Sequence, residues 1–174
     1  MSKIYFASDF HLGAPDYESS RIREKRIVGW LNSISKDAES IFLVGDIFDF
    51  WFDYRTVVPK GYLRLLGKLA ELSDSGIKIF LFTGNHDLWL EDYFEKELNI
   101  TVFKSPQLLS LQGKNIFIGH GDGLGPHDTG YKVLKKYFFI SPVFKFLFRW
   151  VHPDIGTALA SWLSRRSRAA KPLE

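Results

Sequence analysis

Four short runs in the first 120 residues are apolar at almost every position: IYFASD (4–9), IFLVGD (41–46), IKIFLFTG (77–84) and NIFIGH (115–120). A strand wet on one side alternates apolar with polar residues, whereas a continuous apolar run has both faces covered. These four runs are expected to be strands of a sheet buried on both sides. ITVF (100–103) and LLSLQ (108–112) predict two weaker strands. Between them, about 18–35, 60–75 and 91–98 read as helices. In the first helix Ile22, Arg26, Ile27, Trp30, Leu31 and Ile34 recur close to the helical period, which marks the face expected to pack. Strands alternating with helices predict an α/β sheet.

From residue 129 the pattern changes. GYKVLKKYFFISPVFKFLFRWVHPDIGTALASWLSRRSR reads as two or three helices broken at Pro142 and Pro153. Residues 133–151 are apolar almost all round but carry four basic residues and a proline. A membrane span needs roughly 18–20 largely uncharged apolar residues, so an amphipathic lid or a surface lying on a membrane is expected instead. The expected division is a core over 1–128 and a basic, aromatic helical lid over 129–170.

Composition narrows the chemistry. A chain of 174 residues suits one domain, and 45% hydrophobic with 25% charged residues suits a packed one. There is no cysteine, which excludes disulfides, thiolate metal sites and a cysteine nucleophile. The start, MSKIYFASDF, has no apolar core of signal-peptide length, so export is not expected. Charge is unevenly spread. Residues 1–131 hold 14 Lys/Arg against 18 Asp/Glu, and residues 132–174 hold nine against two. The same tail carries eight of the 28 aromatics. A basic, aromatic end suits an anionic partner: a membrane surface, an anionic lipid or a nucleic acid.

The predicted strands share an ending that packing does not require. ASDFH supplies Asp9 and His11, VGDIFD supplies Asp46 and Asp49, TGNHD supplies Asn85, His86 and Asp87, and IGHGD supplies His120 and Asp122. Strand C-terminal ends in an open α/β sheet face a common crevice, so four such ends would gather carboxylate, imidazole and amide donors in one place. Gly45, Gly84 and Gly119 stand just before donor residues and leave room for tight turns and close approach. Oxygen and nitrogen donors without sulfur suit Mn²⁺, Zn²⁺, Fe²⁺ or Mg²⁺. An ionised carboxylate in an apolar run such as LVGDIFDFWFDY is costly unless paired or metal-bound. Asp46 and Asp49 are both candidate ligands there, and Asp53 is expected to lie in a solvated turn.

Asp9-x-His11, Gly45-Asp46-x-x-Asp49, Gly84-Asn85-His86-Asp87 and Gly119-His120 together resemble the first four signature blocks of the calcineurin-like metallophosphoesterases. That resemblance implies a sandwich of two mixed β-sheets flanked by helices and a centre of two divalent metal ions, with Mn²⁺ favoured. By the same likeness Asp9, His11 and Asp46 hold one metal, and Asp46 bridges to a second held by Asn85 and His120. Paired cations about 3.5–4 Å apart activate a water and neutralise the transition state of phosphoryl transfer. His86 resembles the family's general acid or phosphoryl-oxygen stabiliser, with Asp87 orienting its imidazole.

GDIFDFWFDY, HGDGLGPHDTGY and the basic helical insert ending RRSR are similar to one branch of that family, the UDP-2,3-diacylglucosamine diphosphatases. The likeness implies hydrolysis of the pyrophosphate of a glycolipid nucleotide in lipid A biosynthesis by a cytoplasmic enzyme resting peripherally on the inner membrane. Asp122, Asp128 and Tyr131 would then contact substrate, as would Ser167 and Arg168 on the lid. A substrate with two acyl chains and a diphosphate needs an apolar groove beside cations, which the tail's Phe and Trp residues among Lys and Arg could supply. A nuclease or nucleotide phosphodiesterase is the alternative. It fits less well, because these aromatics are massed with aliphatics and not interspersed with polar groups, so no nucleic acid partner is expected. The family's further Gly-His-x-His block is absent from the sequence. The expectation is a fragment ending before the last strands, holding two metals weakly and turning over slowly.

Overall fold

The computed structural model describes residues 2–122 and 140–169, with side chains through 166. Strands β1 (Lys3–Ala7), β2 (Ala38–Val44), β3 (Lys78–Phe82) and β4 (Thr101–Phe103) form one sheet in the order β1-β2-β3-β4, every pairing parallel. Helices α1 (Tyr17–Ile34), α2 (Leu63–Asp74) and α3 (Tyr93–Leu98) make the three crossovers. Strands β5 (Gln107–Leu111) and β6 (Lys114–Ile118) form a separate antiparallel pair. Gln112 and Gly113 join them, both at positive φ, the backbone that a tight two-residue hairpin demands. Parallel and antiparallel pairings thus fall in different sheets.

Two of the four apolar runs are, contrary to expectation, not buried on both sides: β1 is an edge strand with Phe6 exposed, and the run at 115–120 forms β6 outside this sheet with Phe117 exposed. In β2 and β3 the continuous apolar run is explained by two covered faces. On one, Ile41 and Leu43 of β2 with Ile79 and Leu81 of β3 pack on Ile27, Leu31 and Ile34 of α1, Leu65 and Leu69 of α2, and Phe94 of α3. On the other, Phe42, Phe80 and Phe82 meet Leu109, Leu111, Ile116 and Ile118 of the hairpin. The second face carries a row of rings across the strands: Phe6 on Phe42 at 5.0 Å, Phe42 on Phe80 at 4.6 Å and Phe80 on Phe103 at 6.0 Å.

Two further sequence expectations need correction here. Ile22 of α1 is exposed, and the buried face runs through Ser20, Glu24, Ile27, Leu31 and Ile34. The face includes polar residues because Glu24 Oε1 accepts from the backbone N–H groups of Arg64 and Leu65 at the start of α2, 2.9 and 3.1 Å away. Asp53 is not in a solvated turn. It is buried, and its carboxylate accepts from Trp51 Nε1, from Glu91 N–H at 2.8 Å and from Tyr93 N–H at 3.2 Å. Unpaired N–H groups at the start of α3 are what this carboxylate satisfies.

Past residue 140 the chain forms α4 (Pro142–Phe148) and α5 (Pro153–Ala169), each beginning at one of the two prolines. Proline lacks an N–H, so the first helical turn is where it costs least. Phe148 packs against Phe52 at 4.8 Å and Trp89 at 4.8 Å, and Lys145 Nζ lies 2.6 Å from Glu91 Oε1. A side chain at Gly156 of α5 would collide with the Tyr54 hydroxyl and crowd Phe148, so the helix is seated closely there. The opposite side stays apolar and exposed: Val143, Phe146, Leu147 and Trp150 of and after α4, and Ile155, Leu159, Trp162 and Leu163 of α5. Among the described residues no helix is long and apolar enough to cross a membrane.

Candidate metal centre

The loops leaving β1 and β2 continue to pair after the strands end. Asp9 N–H donates to Gly45 O at 3.1 Å, His11 N–H to Asp46 O at 2.9 Å and Leu12 N–H to Ile47 O at 3.0 Å, while Asp49 N–H returns to Leu12 O at 2.8 Å. This lacing sets Asp9 and His11 beside Asp46. Arg23 of α1 braces the first loop, its Nη1 donating to the carbonyls of Phe10, His11 and Ala14 at 3.1, 2.9 and 3.0 Å. Nothing in the sequence pattern singles out Arg23, because its acceptors are all backbone. Asp9, His11 and Asp46 have φ of 59°, 44° and 54°. Left-handed backbone in non-glycine residues costs about 1–3 kcal/mol each and tends to gather where function holds it. A side chain at Gly84 would collide with Asp46, and one at Gly45 with the His120 ring, so both glycines are required by close approach.

Asp46 is the centre of the cluster. It is 3% exposed; its Oδ2 lies 3.3 Å from His120 Nε2 and 3.7 Å from His11 Nε2, and its Oδ1 accepts from His86 N–H at 2.9 Å. Asp9 Oδ1 lies 3.8 Å from His11 Nε2. The His11 and His86 rings meet edge to face at 4.9 Å. Two sets of donor atoms, His11–Asp46–His86 and Asp9–Asp46–His120, each fall within 4.8 Å of one another, and Asp46 belongs to both. Burial opposes the charge on Asp46, yet the bonds from His120 and from His86 N–H outweigh it and lower its pKa. Burial lowers the pKa of His11 and so favours the neutral, lone-pair form. The bond to Asp46 raises His120 to about 9, assisted by Val44 O, which lies 2.9 Å from Nδ1.

The donor set fits divalent cations. It is oxygen and nitrogen throughout, and the His11 atom facing the carboxylates of Asp9 and Asp46 is Nε2. A cation bound at His120 must displace the proton that Asp46 holds there. Apparent affinity is therefore expected to rise about tenfold per pH unit below pH 9, where the folded-state pKa of His120 lies. Calorimetry at pH 7 in two buffers of different ionisation enthalpy should register proton release. Affinity independent of pH, with no proton released, would exclude His120 from the ligand set.

Asp87 does not orient His86. Its carboxylate is fully buried and accepts four backbone N–H groups: Gly84 at 2.7 Å, Ile47 at 2.8 Å, and Asp46 and Phe48 at 3.3 Å each. It ties the loop after β3 to the loop after β2. Burial pushes its pKa up to about 6 against the pull of these N–H groups. The imidazole of His86 is met by Asp49 instead, with Nδ1 at 3.1 Å from the Asp49 carbonyl and 3.4 Å from its Oδ1. Asn85 is half-buried between Gly84 and His86, and Asp122 is half-buried in the turn after His120. Asp128 and Tyr131 lie outside the described residues, as do the side chains of Ser167 and Arg168. A cleft of about 620 Å³ opens beside Asp49, walled by Tyr54, Val57 and Tyr62 on one side and Pro153, Thr157 and Ser161 on the other.

Residues 2–172 match the calcineurin-like phosphoesterase family. The chain belongs to that family. Divalent metals are the family's cofactors, and the cluster around Asp46 is where this chain gathers donors for them. Among curated proteins it is similar to a UDP-2,3-diacylglucosamine hydrolase of Porphyromonas gingivalis, at 42% identity over 173 residues, covering 96% of this chain and 64% of that protein. A UDP-2,3-diacylglucosamine hydrolase of Pseudomonas syringae pv. syringae is 33% identical over 168 residues, covering 95% of this chain and 64% of its own. The chain thus spans just under two thirds of the length of these relatives.

Proposed function

We propose that the protein is a two-metal hydrolase that cleaves the pyrophosphate bond of UDP-2,3-diacylglucosamine, giving UMP and 2,3-diacylglucosamine 1-phosphate in lipid A biosynthesis. The observation that carries the reading is one buried carboxylate, Asp46, shared by two donor sets. Asp9, His11, Asp46, Asn85 and His120 would hold two ions, Mn²⁺ by preference, with Asp46 common to both. Bound ions would supply charge neutralisation at the diphosphate and an activated water. His86 works through Nε2, because its Nδ1 faces two acceptors on Asp49. Once protonated at Nε2 as well, the ring would donate that proton to a phosphoryl or leaving oxygen. Water adds its oxygen to one phosphorus, the P–O–P bond breaks, and the two phosphates part as UMP and the sugar phosphate.

The names of the relatives support the choice of substrate. So does the exposed apolar side of α4 and α5, next to Arg149, Arg165 and Arg166, which suits acyl chains or a lipid surface more than a nucleic acid. Peripheral attachment to the cytoplasmic side of the inner membrane belongs to the same reading. Mn²⁺-loaded protein should release UMP from UDP-2,3-diacylglucosamine and leave a nucleotide diester and single-stranded DNA uncut. Cleavage of the DNA or the diester with no UMP from the lipid would overturn the substrate assignment.

A further inference from the structure

Helix α1 begins just after the loop that carries Asp9 and His11. It is capped by Asp16, whose Oδ1 accepts from Ser19 N–H at 2.8 Å, and it packs on the sheet through Ile27, Leu31 and Ile34. The loop beside it has left-handed backbone at Asp9 and His11, which persists only where the surroundings hold it. Part of the hold comes from the loop after β2, which takes the N–H groups of Asp9, His11 and Leu12. That loop is itself left-handed at Asp46, so two strained segments lean on each other. The regular helix supplies the rest. Ser20 Oγ accepts from Gly13 N–H at 2.8 Å, and Arg23 Nη1 donates to the carbonyls of Phe10, His11 and Ala14 at 3.1, 2.9 and 3.0 Å. His11 is thus held at both ends of its own backbone. Its N–H bonds Asp46 O, and its carbonyl accepts from Arg23 and, within the loop, from Ala14 N–H at 3.2 Å.

We propose that Arg23 is a positioning residue for the metal centre: three bonds from one half-buried guanidinium hold the loop so that the Asp9 and His11 side chains meet Asp46. Its charge works the other way. A cation beside the loop repels the divalent ions that the donors would hold, so on charge alone its removal tightens binding. Loss of the bonds frees the loop and weakens binding. The two effects of one substitution have opposite signs, which makes the role measurable. The inference rests on the cluster around Asp46 being a metal centre, whereas the stiffness of the loop can be measured without metal or substrate.

The experiment compares Arg23→Met, which keeps the apolar stem and drops the donors, with Ile34→Val at the far end of α1, which loosens the core and leaves every bond to the loop. In metal-free Arg23→Met, amide exchange followed by NMR should accelerate about tenfold more at His11 and Leu12 than at Phe42 and Leu43 of β2, whose amides report global opening. In Ile34→Val the loop and core amides should change in parallel. Mn²⁺ affinity by calorimetry should fall about tenfold in Arg23→Met, the scale for losing a group that orients a metal ligand, and stay within about twofold in Ile34→Val. Arg23→Gln, uncharged and too short to reach the three carbonyls, should match the methionine variant and replaces it if methionine folds poorly. Mn²⁺ affinity at or above that of the parent in the folded Arg23 variant would overturn the inference. So would an equal loss of affinity in Ile34→Val, or loop and core amides that accelerate together in the Arg23 variant. A parent protein that binds no Mn²⁺ would overturn the metal centre itself, and this role with it.

Discussion

Asp46→Asn is expected to leave a folded protein that neither retains its divalent ions nor turns over substrate. The amide keeps the size of the carboxylate, and its oxygen can still accept the bond from His86 N–H. What goes is the charge that both donor sets share and that His120 faces at 3.3 Å. Losing a ligand common to two ions should lower turnover by roughly 10³-fold or more, because such ions carry most of the charge stabilisation in phosphoryl transfer. Metal content after dialysis and the rate of UMP release from UDP-2,3-diacylglucosamine, beside an unchanged melting profile, measure this directly. Turnover within about tenfold of the parent would place the metal centre elsewhere.

The second large effect concerns stability. Asp87→Ala should destabilise the fold by about 3–5 kcal/mol, the range for stripping a buried charged hub from its partners. Four backbone N–H groups converge on that carboxylate from two loops, and a methyl group satisfies none of them. Asp87→Asn should recover part of the loss, since one amide oxygen remains to accept while the NH₂ faces donors. Urea unfolding of the metal-free protein separates this from any metal effect. A change under about 1 kcal/mol would mean that water reaches these N–H groups and replaces the carboxylate.

The elements were legible in the sequence because each apolar run obeys one periodicity and each break carries a proline, glycine or polar cap. Donor-bearing strand ends were legible for the same reason, and the glycines before them do meet close neighbours at Gly45 and Gly84. What could not be read was which carboxylate serves which partner. Asp49, Asp53 and Asp87 look alike along the chain. Asp87 bonds N–H groups 39 to 41 positions away, Asp53 bonds N–H groups 38 and 40 positions away, and Asp49 meets a serine 115 positions away. Asp87 adjoins His86 in sequence, yet its carboxylate is taken up by four backbone N–H groups, and Asp49 reaches the ring from the loop after β2. The buried face of α1 was misjudged at Ile22 because Glu24, polar by type, is held inside by the start of α2.

The strand order β1-β2-β3-β4 also bears on how the protein is made. Each strand pairs with the one before it, so the sheet can lengthen in the order in which residues leave the ribosome. Asp9 and His11 gain Asp46 once β2 docks, and His86 joins with β3. His120 arrives only after the β5–β6 hairpin closes over the far face. A nascent chain would thus have the parallel sheet built before His120 joins Asp9, His11 and Asp46.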